Sequence, residues 1–154
     1  MTLTKHLPAA GLAAGFCLFA MAARHYPGFG WGHTFVSSLF AARALNGEAN
    51  PARYIAIPAM LVLCAALGLM FRMIATTVPS RGLRKAIEIA GIGSAVYAFL
   101  AVTPMHDLMV SISLLFASIA LFATLCVVHI ERQRLLFASG IVCVTILTLS
   151  AAVY

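Results

Sequence analysis

At 154 residues, with 63% hydrophobic and 9% charged side chains and a mean hydropathy of +1.03, the chain has too few polar groups to cover the surface of a water-soluble globule. Ten basic residues against four acidic ones leave a formal charge of +6. The basic side chains stand between apolar runs, which points to a lipid bilayer as partner and not to nucleic acid.

About 20 apolar residues at a rise of roughly 1.5 Å cross the ~30 Å hydrocarbon layer of a membrane. Runs at about 7–26, 54–71, 86–102, 108–128 and 135–154 satisfy that length. Backbone groups in lipid must bond within their own segment, so each run is expected to be a helix. The expected fold is all-α: one polytopic membrane bundle of five transmembrane helices over residues 1–154. Lys5, the apolar run and Ala20-Met21-Ala22 also have the form of a cleavable signal peptide, whose loss would leave four spans. Retention is the expectation. Gly11 and Gly15 form a small-xxx-small pair that would let another helix approach the first span closely.

The first connection holds the unusual residues. It contains His25-Tyr26-Pro27-Gly28-Phe29-Gly30-Trp31-Gly32-His33, in which Gly and Pro break the helix and the aromatic rings suit a membrane interface. From His33 to Leu45, apolar residues at Phe35, Val36, Leu39 and Phe40 have helical spacing, predicting a short amphipathic helix on the membrane surface.

The second span ends on Arg72, placed to snorkel toward headgroups. Arg81, Arg84 and Lys85 follow, and Glu88 stands four residues after Arg84, a spacing that predicts an ion pair on the third helix. That helix carries Ala86, Ala90, Ser94 and Ala98 at four-residue intervals, a stripe expected to face a neighbour. The third connection is Thr103-Pro104-Met105-His106-Asp107. Its pattern predicts a helix start with Thr103 as cap, Pro104 in the first position and Asp107 complementing the dipole. The hydroxyls of Ser94, Ser113 and Thr124 are expected to bond their own helix or a neighbour in preference to lining a polar path. Cys17, Cys64, Cys126 and Cys143 read as small core residues.

Lys5, Arg72, Arg81, Arg84, Lys85, Arg132 and Arg134 flank one side of the predicted bundle and only Arg24, Arg43 and Arg53 the other. This asymmetry predicts an N-terminus in the cytoplasm and a C-terminus outside. No ionisable residue sits at the centre of a span, which argues against a proton pump or a retinal protein. His25, His33, Ser37, Arg43, His106 and Asp107 would then share the outer rim as ligand-binding candidates. His106 and Asp107 would be the ligands if a metal were held there. His6, His25, His106 and His129 bracket the first and fourth spans at the interfaces, a poor arrangement for bis-His haem. The sequence leaves the cofactor unknown.

The order His25-Tyr26-Pro27-Gly28, Phe35-Val36-Ser37-Ser38-Leu39 and Asn46-Gly47-Glu48-Ala49-Asn50, with Thr103-Pro104 before a His-bearing fourth helix, resembles a prokaryotic membrane family of unknown function, number 998. The resemblance implies a multi-span helical membrane fold and no particular reaction. Ser38 stands where it implies an acidic residue, and the chain stops at Tyr154 where relatives carry a sixth span, so a missing or shortened C-terminal segment is expected. The leading expectation is a protein that binds a lipidic ligand or partner helices at its outer rim, with a homo-oligomer or membrane complex as the assembly. The alternatives are a membrane enzyme using His106 and Asp107 on a lipid or small molecule, and an oligomeric small transporter.

Overall fold

The computed structural model describes the backbone of residues 3–153 and the side chains of residues 6–146 and Leu149. Five α-helices are described: α1 (Leu3–His25), α2 (Arg53–Thr77), α3 (Arg81–Leu100), α4 (His106–Ile130) and α5 (Arg134–Val153). No sheet is present among the described residues, only an isolated antiparallel bridge between Arg43 and Ala49. Three helical stretches, His6–His25, Arg53–Thr77 and His106–Ile130, are long and apolar enough to cross a bilayer.

Each helix begins or ends a few residues from its predicted span, most of all at the end of α2, which runs on to Thr77, and at the start of α3. Helix α3 starts at Arg81, five residues before the apolar run, because straight-chain Arg and Lys favour helix. Pro8 and Pro58 lie within the first two turns of α1 and α2, near the end where missing backbone donors matter least.

The helices pack in sequence order, α1 on α2, α2 on α3, α3 on α4 and, over a smaller area, α4 on α5. Every step is antiparallel. Gly11 faces Ala66 and Gly15 faces Leu63; Gly68 faces Ala95 and Gly91 faces Phe71; Gly140 faces Leu125 while Phe137 stacks near His129. A Cβ on Gly11 would meet that of Ala66 at 2.8 Å, so this glycine sets the approach of α1 and α2. Between α3 and α4, Tyr97 and Phe116 stack at 5.5 Å, and the Ser113 hydroxyl donates to the Ser94 carbonyl at 2.9 Å.

The main core joins three helices. Phe71, Ala75 and Val78 from α2 and its end meet Ile87 and Ala90 of α3 and Ala120 and Ala123 of α4. Small residues dominate because backbones in such a bundle gain stability mainly from close packing. Ala90 and Ser94 of the four-residue stripe are buried, whereas Ala86 and Ala98 are half-buried at its ends. The Ser94 hydroxyl bonds the Gly91 carbonyl and that of Thr124 the Ala120 carbonyl. All three hydroxyls considered for a polar path are thus engaged with backbone.

Two local expectations are corrected. Arg84 does not pair with Glu88: its Nε donates to the Val78 carbonyl at 3.2 Å, where the end of α2 leaves an acceptor open. Thr103 does not cap α4. Its hydroxyl reaches back to the Leu100 carbonyl at 2.7 Å and closes α3, while Met105 precedes α4 without a side-chain cap and Asp107 occupies the first turn. Helix α4 ends in a Schellman turn, with Arg132 N–H on His129 O and Gln133 N–H on Val128 O. Arg132 adopts φ 57° there, the left-handed position that usually holds glycine.

Candidate functional site at the far rim

The antiparallel order gathers the C-terminal ends of α1 and α3 and the N-terminal ends of α2 and α4 at one rim, opposite the N-terminus of α1. The first connection, residues 26–52, builds most of this rim as a folded cap. Its core is Ala22 from the end of α1, Tyr26, Leu39, Ala44 and Ala52 from the connection, and Ala56 from the first turn of α2. Leu39 is only 1% exposed. Phe19 and Phe40 pack edge to face at 5.9 Å beside it.

Two side chains close the cap. The Tyr26 hydroxyl accepts the Leu45 N–H at 2.9 Å across 19 residues. Asn50, 4% exposed, donates through Nδ2 to the carbonyls of Ala41 (2.8 Å), Leu39 (3.1 Å) and Ser38 (3.3 Å). Its Oδ1 accepts the Ala52 N–H at 3.1 Å. Between them the chain reverses at Gly47, φ 85°, with Ala44 N–H bonded to Glu48 O and Gly47 N–H to Ala44 O. Neither Tyr26 nor Asn50 is marked by periodicity, because both act through contacts distant in sequence.

The predicted amphipathic helix from His33 to Leu45 is shortened to a five-residue 3-10 turn, Val36–Phe40. Asn50 holds the carbonyls of Ser38, Leu39 and Ala41, which a longer helix would need for its own bonds. Leu39 points inward, while Phe35 and Val36 remain exposed.

The six rim candidates are held locally. His25 Nδ1 lies 2.8 Å from the Met21 carbonyl, the His33 ring lies over Gly30, and Arg43 donates to the Gly47 carbonyl at 3.0 Å. Ser37 is half-buried in the 3-10 turn. His106 Nδ1 and Asp107 Oδ1 are 3.0 Å apart, with the Asp107 side chain 96% exposed. Among the described residues, no hydrogen bond or ion pair joins His25, His33, Ser37 or Arg43 to His106 or Asp107, and no group of three metal-ligating side chains is formed. The structure therefore brings together His106 and Asp107 and, separately, the parts of the cap.

A different feature of the rim is concave. An open cleft of about 450 Å³ lies where α1 meets the cap, lined by Ala20, Ala23, Arg24, Tyr26, Gly28, Phe29 and Trp31. Its aromatic wall is a relay of edge-to-face rings, Tyr26 to Phe29 at 5.8 Å and Phe29 to Trp31 at 5.0 Å. Arg24 is exposed at its edge and has no hydrogen bond or ion pair among the described residues. Sequence reading gave Tyr26, Phe29 and Trp31 only an anchoring role and passed over Arg24. The available signal was a basic residue two to seven positions from three aromatics across a helix break.

Fold and rim together define an all-α protein with candidate membrane-spanning helices and a structured cap at one end. No protein-family model, curated protein or solved structure matches the chain.

Proposed function

We propose that this is a five-span membrane protein of a prokaryotic inner membrane, N-terminus inside, that binds a lipid with an anionic headgroup at its outer rim. The observation that carries the reading is the cleft of Arg24, Tyr26, Phe29 and Trp31. A guanidinium offers forked donors to a phosphate or carboxylate, and the adjoining rings offer apolar and π faces to the remainder of the molecule. The cap bonds made by Tyr26 and Asn50 keep the aromatic wall preformed, which lowers the ordering cost of binding. The basic asymmetry of the connections supports the orientation, and membership of the family of unknown function number 998 is part of the same proposal.

Trp31 is the only tryptophan of the chain, so its emission reports this cleft alone. In vesicles of phosphatidylcholine, brominated phosphatidylglycerol should quench Trp31 more strongly than brominated phosphatidylcholine at equal mole fraction. Arg24→Gln should abolish the difference. Equal quenching by the two lipids, or a preference indifferent to Arg24→Gln, would refute the reading.

A further inference from the structure

A second concavity lies on the flank of the bundle, away from the rim. It is a groove of about 360 Å³ between α2 and α3, lined along α2 by residues from Leu61 to Arg72 and along α3 by residues from Ile92 to Leu100. Small residues make it hollow: Ala65 and Gly68 on α2 and Ala95 on α3, where a Cβ on Gly68 would sit 3.7 Å from that of Ala95. Large residues raise its walls, with Leu61 53% and Val96 51% exposed. Apart from Arg72, every lining side chain is apolar, glycine or cysteine.

Arg72 closes the groove at the end nearer the N-terminus of α1, since Phe71 beside it packs on Gly91 of α3. It is exposed and has no hydrogen bond or ion pair among the described residues. Five residues separate it from the end of α2 at Thr77, about 8 Å of helix rise, a depth from which an arginine side chain reaches the headgroup layer. From Leu61 to Arg72 the groove runs about 16 Å, roughly half of a ~30 Å hydrocarbon layer and so the depth of one leaflet. Arg81, Arg84 and Lys85, in the connection and first turns that follow at this end, add positive potential, and no acidic residue lines the groove.

We propose that this groove holds one acyl chain of an anionic phospholipid from the leaflet on the N-terminal side, with its phosphate on the Arg72 guanidinium. The match is one of charge and length together. An unpaired cation at the headgroup depth demands an anion, and the hollow above it has the length and apolarity of a lipid tail. The groove is separate from the cleft at Arg24 and opens at the opposite leaflet.

A single-tryptophan reporter tests it. Phe99 lines the groove, about 10 Å of rise beyond Ile92 and level with the middle of a tail anchored at Arg72. The protein carrying Trp31→Phe and Phe99→Trp is reconstituted in phosphatidylcholine with a small fraction of brominated phosphatidylglycerol or brominated phosphatidylcholine. At low mole fraction the anionic lipid should be selected about fivefold over the zwitterionic one, the effect of one basic residue near an anionic headgroup. Arg72→Gln should bring the two lipids level, Arg72→Lys should keep most of the preference, and Arg24→Gln should leave it unchanged. Equal quenching in the Arg72 parent overturns the proposal without recourse to any Arg72 variant, as does a preference that survives Arg72→Gln. Failure of the separate rim-cleft experiment, with no lipid preference at Trp31 in the parent protein, would leave this result standing.

Discussion

Asn50→Asp is the sharpest test of how the rim is built. The substitution keeps the side chain's shape and its acceptor for the Ala52 N–H, but a carboxylate has no donor for the carbonyls of Ala41, Leu39 and Ser38 that now surround Nδ2. Two amide hydrogens are lost, each worth about 1 kcal/mol when bonded, and a buried acceptor is set against three others. The cap should lose roughly 2–4 kcal/mol of local stability. At about 1.4 kcal/mol per tenfold, amides that exchange by opening of the cap should then exchange roughly 30- to several-hundred-fold faster. Hydrogen–deuterium exchange of the detergent-solubilised protein would read this at Ala44, Leu45 and Asn50, whose N–H groups bond within the cap. Peptides from α3 and α4 serve as internal controls. If exchange over residues 41–52 stayed within about threefold of the parent, Asn50 would not be what holds the cap.

Two further outcomes follow from the helix packing and the charges. Ala90 is 4% exposed in the three-helix core, so Ala90→Leu should cost about 1–3 kcal/mol by overpacking and lower the melting temperature in detergent, whereas Ile119→Leu, at a 46% exposed position, should leave it nearly unchanged; equal shifts would argue against the interface. Alkaline phosphatase fused after Arg84 should be inactive in a bacterial host and active when fused after Tyr154, and the reverse pattern would overturn the proposed orientation.

The five helices were readable from sequence as long apolar runs, and three of them, α1, α2 and α4, are long and apolar enough to cross a bilayer. The start of α3 at Arg81 and the end of α2 at Thr77 lay beyond those runs. The connections were less readable, since their structure depends on which backbone group each short polar side chain captures. Thr103 could close the helix before it or open the one after it, and the Leu100 carbonyl won. The apolar spacing of Phe35, Val36, Leu39 and Phe40 correctly marked a helical turn, yet nothing local showed that Asn50, ten or more residues on, would take the carbonyls needed to extend it. The rim candidates were chosen for their titratable chemistry. The cleft beside them is instead made by Arg24 and three rings, whose common wall exists only after the chain has turned at Gly28.

The sequence-ordered stacking of the helices bears on how the protein can be made. Each helix after the first packs on the one synthesised just before it, through contacts such as Gly11 with Ala66, Gly91 with Phe71 and Ser113 with Ser94. Only the α1–α2 step closes a long connection, residues 26–52, and the later steps close short ones, so an early helix pair has no need to wait for a late segment before it can settle. The bundle can grow helix by helix as the chain leaves the ribosome, α2 locking onto α1 while α4 is still being translated. The last helix joins through the smallest contact, so a chain interrupted before α5 would already contain the cap, the groove and the three-helix core.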